Sequence, residues 1–283
     1  MRSDTGSRRS AGMYVRESGA VGSTPIVFLH GVGGSGGMWA RHMAELAGSH
    51  CLAPDLRGFG RSNRLAWVSL NDTAERVAEL IEGLPSRRAH VVGLSLGGSV
   101  AHTLLARRPE LLDRVVIDGC GVLPWWGTRL IRLGVAAVSP FLHTRAVVGA
   151  IGRAWEMDEQ ARANLRAASP RSFRRAFADA NDIRISRAEI AAPCPTLLLA
   201  GERETKPPVR SSNAALAALM PGAEARFAPG QGHGWLGRQP ELHVRTVAAW
   251  LNDEELPPEL PVENTPWNEE AVGRLLERAA EGG

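Results

Sequence analysis

Cysteine is scarce in this chain: three in 283 residues, at positions 51, 120 and 194, with no CxxC pair. An odd number so widely spaced supports neither a disulfide framework nor a zinc site, and each cysteine reads as a small buried hydrophobe. Lysine is scarcer still, Lys206 alone, so the positive charge is almost wholly guanidinium. No stretch reaches the roughly 20 uninterrupted apolar residues of a membrane span. Met1 to Met13 is polar and lacks the apolar segment of a secretory leader. Nor is any basic run interleaved with aromatics as a nucleic-acid groove requires. The expectation is a cytoplasmic protein with no nucleic-acid or membrane partner. A chain of this length buries roughly 75% of its unfolded surface and needs no metal or disulfide to hold it.

Charge is unevenly spread, although its net is only +3. Between Gly121 and Ile190 eleven arginines stand against six acidic residues, and from Leu251 to Gly283 nine acidic residues against two arginines.

Short apolar runs at Pro25–His30, His50–Pro54, Ala89–Val92, Val115–Ile117, Thr196–Ala200 and Ala223–Ala228 read as strands. Helical spacing recurs between and after them, at Trp39–Leu46, Asn71–Leu84, Gly98–Arg107, Ser211–Leu219 and Glu241–Leu251, with Asn71 or Asp72 able to cap the second. Strands alternating with helices imply an α/β fold: a mostly parallel central sheet with helices on both faces. Gly121 to Ile190 breaks the alternation and reads as an inserted helical cap. Residues 1–120 and 191–252 would then form the core, and 253–283 a C-terminal linker followed by an amphipathic helix. The stripe of that helix is Ala271, Val272, Leu275, Leu276 and Ala279. Because arginines recur along the cap, no exposed apolar face able to dock on an oil surface is expected there.

A serine hydroxyl attacks poorly at neutral pH unless a base and an anion-stabilising pocket adjoin it. The G-x-S-x-G pattern meets part of that need when it turns a strand directly into a helix. It occurs twice, as Gly33-Gly-Ser35-Gly-Gly37 and Gly93-Leu-Ser95-Leu-Gly97. Ser35 lies several residues past a strand, among four glycines. Ser95 follows a strand at once and opens a helix, so Ser95 is the candidate nucleophile.

Eight histidines compete for the role of base. His42, His102 and His243 fall within helices, His50 and His90 begin strands, and His30 precedes a glycine loop. For all of these a structural role is the better reading. His143 lies in the cap within reach of a substrate. His233 sits in Gly-Gln-Gly-His-Gly-Trp after a strand, where a side chain can turn back towards Ser95.

Taken together, His30-Gly-Val-Gly33, Asp55-Leu-Arg-Gly-Phe-Gly-Arg-Ser62, the elbow at Ser95 and Gly232-His233 make the chain resemble the α/β-hydrolase family from Tyr14 to Asn252. The resemblance implies a capped serine esterase-like member with His233 as base and the backbone N–H groups of Val32 and Leu96 as oxyanion hole. The family's acid segment reads Gly201-Glu-Arg-Glu204 here, a glutamate where aspartate is usual. Asp118, closing the strand after the elbow helix, is the alternative acid. Either can orient an imidazole.

Met38, Trp125, Trp126, His143 and Trp235 are candidate substrate contacts; Val135, Val138, Phe141 and Val147 add to the apolar first half of the cap. The expected activity is hydrolysis of small-to-medium carboxylic esters through an acyl-enzyme, with no cofactor and no metal. Carbon–carbon bond hydrolysis of a diketone-type substrate, or ligand sensing with a retained triad, are the alternatives.

Overall fold

The computed structural model describes residues 6–20, 22, 24–123, 127–155, 157–182, 191, 194–204, 208–267, 270 and 273. Within them β1 (Gly6–Ser10), β2 (Met13–Ser18), β3 (Ile26–Leu29), β4 (Cys51–Pro54), β5 (Ala89–Leu94), β6 (Leu112–Asp118), β7 (Thr196–Gly201) and β8 (Ala223–Ala228) form one sheet. Their order is β1-β2-β4-β3-β5-β6-β7-β8. Only the β1/β2 and β2/β4 ladders are antiparallel. The helices are α1 (Ala40–Glu45), α2 (Leu70–Glu82), α3 (Leu96–Arg107), α4 (Thr128–Val138), α5 (Arg145–Ala154), α6 (Glu159–Ala167), α7 (Pro170–Ala180), α8 (Pro208–Leu219), α9 (Trp235–Arg238) and α10 (Pro240–Leu251). This is the mostly parallel α/β architecture expected from the alternation.

Successive side chains of a strand point to opposite faces, and the interior strands are apolar on both. Val27 and Leu29 enter one core, with Val91, Val115, Ile117 and Leu198. Ile26 and Phe28 enter the other, with Val92, Val116, Leu197 and Leu199. Helices α2 and α3 cover the first with Val77, Leu80, Val100 and Leu104. Helices α1 and α10 cover the second with Met43, Val247 and Trp250. Fully burying such a side chain stabilises the fold by about 1.5–3 kcal/mol.

Helices α4 to α7 stand between β6 and β7 as an insertion. Among the described residues α5, α6 and α7 each start where the sequence offers a capping oxygen. Thr144 Oγ1 accepts from Val147 N–H, Asp158 Oδ1 from Ala161 N–H and Ser169 Oγ from Ser172 N–H. Elsewhere the cap of α2 is Ser69, whose Oγ accepts from Asp72 N–H at 3.1 Å, rather than Asn71 or Asp72. The β1–β2 hairpin has no counterpart in the apolar-run reading, because β1 is an exposed polar edge strand.

Residues 254–265 are more than a linker. Glu263 N–H donates to Ala225 O at 2.8 Å and Phe227 N–H to Pro261 O at 3.2 Å, so the segment covers the open edge of β8. Leu260 is fully buried there. The Glu263 carboxylate takes two hydrogen bonds from Arg210, at 2.6 and 3.0 Å, and two from Thr265. The stripe Ala271, Val272, Leu275, Leu276 and Ala279 lies outside the described residues. No helix among the described residues is long and apolar enough to cross a membrane.

Burial opposes ionisation of Glu263, yet its bonds to Arg210 and Thr265 win and hold the carboxyl below its ordinary value of 4.5. Its stabilising effect is therefore full above that value and is lost as pH falls through the lower folded one. Glu263→Gln should cost about 1–3 kcal/mol at neutral pH, with a smaller gap to the parent protein in acid. Urea midpoints at both pH values check this, and a gap that does not shrink in acid counts against it.

Candidate active site

Strand β5 ends at Leu94 and α3 begins at Leu96, so one residue, Ser95, makes the turn. Its φ of 53° and ψ of −109° are strained for a residue with a side chain. Ser95 N–H donates to the Asp118 carbonyl at 2.8 Å, which ties the turn to the end of β6. The flanking glycines are sterically required. A Cβ on Gly93 would stand 2.4 Å from the Gly97 carbonyl oxygen, and one on Gly97 2.1 Å from the Leu29 carbonyl oxygen. Ser35 differs in kind: its backbone is extended, its Oγ caps the turn Gly36–Trp39, and Asn164 Nδ2 of the insertion donates to it at 2.9 Å. It is a structural tie.

The loop after β3 lies against the elbow, since a Cβ on Gly31 would meet Ser95 Cβ at 3.6 Å. His30 fixes that loop. Its ring is fully buried, Nδ1 donating to Gly31 O at 2.8 Å and Nε2 accepting from Leu56 N–H at 2.9 Å. Burial holds its pKa below the ordinary value, against the pull of Asp55 and the Gly31 carbonyl. The Asp55 carboxylate accepts Gly36 N–H at 2.7 Å and Arg61 N–H at 2.6 Å, clamping the two glycine loops together. Gly60, at φ 50°, has no room for a Cβ beside that carboxylate. Val32 packs half-buried against the core, and the next residue, Gly33, faces Leu165 and Phe173 of α6 and α7. The insertion therefore rests on the loop that carries Val32.

His233 follows β8 in the turn before α9, and Glu204 follows β7. His233 Nδ1 meets Glu204 Oε2 at 2.9 Å, with the glutamate side chain 2% exposed and the histidine 16%. With Nδ1–H donated to the carboxylate, Nε2 is left as the basic nitrogen. Gly119, at φ 61°, lies beneath the pair; a Cβ there would be 2.7 Å from His233 Cε1. Ser95, Glu204 and His233 thus all sit at the carboxyl ends of parallel strands, where α/β sheets carry their ligands.

Asp118, the alternative partner, looks the other way. Its side chain is fully buried, Oδ1 accepting Trp235 Nε1–H at 3.1 Å and Oδ2 lying 3.4 Å from His243 Nε2. His243 in turn bonds His42 at 2.7 Å. Burial, with smaller electrostatic effects from His243 and Arg41, drives the His42 pKa down to about 2. The sequence reading missed this three-residue chain, because the partners are brought together across the fold.

The remaining candidates divide. Trp235 is fully buried in the core and bonded to Asp118, so it does not line an open pocket as expected. Met38 packs half-buried against the α1/α10 core. His143 is exposed in the turn before α5. Trp125 and Trp126 lie outside the described residues. All three cysteines are buried, and burial raises the Cys51 and Cys194 thiols to about 12. Among the described residues no group of three or more His, Cys, Asp and Glu side chains could hold a metal ion.

The sequence model of the alpha/beta hydrolase family matches residues 26–246. The chain belongs to that family. This hydrolase is 27% identical over 245 residues to the putative carbamate hydrolase RutD of Caulobacter sp. (strain K31), covering 81% of this chain and 91% of that one. Among solved structures it resembles a hydrolase from Pseudomonas aeruginosa PA01 at 25% identity and TM-score 0.74, over 89% of this chain and 99% of that one. A thermophilic esterase from Thermogutta terrifontis shares the fold at 22% identity and TM-score 0.70, over 88% of this chain and 97% of that one.

The crowding at the elbow of the hydrolase can be tested by stability alone. Gly97→Ala should destabilise at or beyond the upper end of the about 1–3 kcal/mol of overpacking. Gly48→Ala, with nothing within 4 Å of the added carbon, should stay within about 0.5 kcal/mol. Thermal melts of the two variants decide it; equal melting temperatures would show that the backbone yields.

Proposed function

We propose that this hydrolase cleaves carboxylic esters of small-to-medium acyl chain through a Ser95–His233–Glu204 triad. One observation carries the reading. A serine held at positive φ at the end of β5 shares its sheet edge with a buried histidine–carboxylate pair. His233 Nε2 takes the Ser95 proton as Oγ attacks the ester carbonyl carbon. The backbone N–H groups of Val32 and Leu96 receive the negative oxygen of the tetrahedral intermediate. As the intermediate collapses, the carbon–oxygen bond to the alcohol breaks and the imidazolium gives its proton to that alcohol. Water, deprotonated by His233, attacks the acyl-enzyme next; the acid departs and Ser95 regains its proton. Glu204 keeps Nδ1 protonated and stabilises the imidazolium. A carbamate, the substrate type in the name of the Caulobacter relative, presents the same kind of carbonyl to the same attack.

The insertion supports a limit on acyl length, because Leu165 and Phe173 come down onto the loop at Gly33. Trp155, Phe173 and Phe177 stack behind that contact with ring centroids 6.0–6.3 Å apart. Each buried methylene of the acyl chain adds about 0.8 kcal/mol until the space is full. Across p-nitrophenyl esters kcat/KM should therefore rise from acetate to butyrate or hexanoate and then fall. A maximum at laurate or beyond would overturn the length limit.

Triad variants test the roles. Ser95→Ala should lower kcat by about 10⁶-fold, while Ser35→Ala keeps most activity. Glu204→Gln should cost about 10³–10⁴-fold, and Asp118→Asn far less. The reverse order of the two acid variants would move the acid to Asp118.

A further inference from the structure

Six large apolar side chains stand exposed among the described residues, and four of them, Leu130, Leu133, Val138 and Phe141, lie on α4 and the turn Ser139–Phe141 that ends it. Leu130 and Leu133 are 64% and 67% exposed, Phe141 54%. With Ala137 they follow spacings of three and four residues, one stripe along the helix. This corrects the expectation that recurring arginines leave the cap without an exposed apolar face: on α4 the arginines, Arg129 and Arg132, stand beside the stripe and not on it. A cavity of about 620 Å³ opens between the end of α4 and the start of α7, lined by Ser139, Pro140, Pro170, Arg171, Arg174 and Arg175. A second, of about 220 Å³, continues it between α4 and α7, with Arg174 and Arg175 again in its wall. Arg171, Arg174 and Arg175 are exposed and carry no carboxylate within 4 Å among the described residues.

We propose that this outer face of the insertion is a docking surface for an anionic membrane, with the α4 stripe entering the lipid and the arginine groove taking the headgroup phosphates. An apolar stripe bordered by basic side chains is the pattern of a helix that lies in a bilayer interface. Guanidinium groups bind phosphate through paired N–H donors, and a groove with three of them offers several such forks. In sequence, Trp125 and Trp126 come immediately before α4, and tryptophan is enriched at membrane–water interfaces. Charge favours this occupant over a second copy of the chain. A two-fold contact would bring two copies of the same arginine-rich patch together and bury their like charge with little acid from the described residues to offset it, whereas a bilayer of anionic lipid supplies negative charge across the whole face. The contact is peripheral and separate from the chemistry at Ser95, so it stands or falls independently of the triad.

The test uses the full chain and vesicles of phosphatidylcholine, alone or mixed with phosphatidylglycerol. Parent protein should sediment with the mixed vesicles, remain in solution with phosphatidylcholine alone, and be released by salt. Leu133→Glu should abolish sedimentation. Arg174→Gln with Arg175→Gln should lower the partition coefficient about 30-fold, the equivalent of about 1 kcal/mol for each basic side chain near an anionic surface. Both variants should turn over a soluble short-chain ester at the parent rate, which separates lost docking from lost folding. Parent protein that stays in solution with mixed vesicles overturns the proposal, as does equal sedimentation of parent and variants. A parent of twice the monomer mass that Leu133→Glu halves would assign the face to a second copy instead.

Discussion

The carbonyl oxygen of Leu29 at the end of β3 sits so close to Gly97 that a Cβ could not come between them. Helix α3 therefore starts hard against the sheet. Only a turn of one residue bridges β5 to it, and that residue must take a positive φ. Ser95 is projected from the sheet edge as a consequence of this spacing. The loop after β3 inherits the same geometry, since Gly31 packs on Ser95 and the Val32 backbone follows. A change that pushed α3 outwards by a Cβ would move Ser95, its neighbouring N–H groups and the loop under the insertion together.

Asp118 ties the second half of the site to the first. Its main chain accepts the Ser95 N–H, while its carboxylate, on the far face, accepts the indole N–H of Trp235, two residues past His233. A buried carboxylate without donors would be strongly destabilising. The histidine chain lies beside it: His42, kept neutral by burial, bonds His243 Nδ1 through Nε2 at 2.7 Å, and His243 Nε2 lies 3.4 Å from Asp118 Oδ2. Glu204, from the loop after β7, instead meets His233 Nδ1 at 2.9 Å. Two carboxylates near one sheet edge thus hold different partners, Asp118 the Trp235 indole and Glu204 the His233 ring.

Much of this was legible in the sequence where function depends on local chain geometry. The elbow glycines, the Asp55 turn with its glycines and the Gly232-His233 turn are all short segments whose residue types follow from backbone angles or close approaches. The apolar runs located six of the eight strands, β3 to β8. What stayed hidden was set by distant partners. The hairpin β1–β2 is polar and paired at an edge, so no burial pattern marks its first strand. Glu255 to Pro261 reads as a proline-rich linker until Arg210 and the open edge of β8 are brought beside it and the residues that follow. Trp235 looked like a pocket residue because it adjoins His233, yet its indole is drawn inward by Asp118.

The insertion itself is attached unevenly, and that asymmetry bears on what its parts do. Helices α6 and α7 are bound to the core by specific polar contacts. Asn164 reaches Ser35, Ser172 Oγ accepts the Trp67 N–H, and Asp179 accepts the Trp67 indole N–H. Leu165 and Phe173 join the core directly. These contacts hold the two helices over the Gly33 loop and make them the part of the insertion able to shape the site. Helix α4 buries no residue fully and packs mainly on α7 and on the turn that follows it. An apolar helix so lightly committed to the described core gains little stability from Leu130 and Leu133, which stand exposed. Across the groove Arg171, Arg174 and Arg175 have no carboxylate within 4 Å among the described residues, and these cations bear on what can cover the stripe.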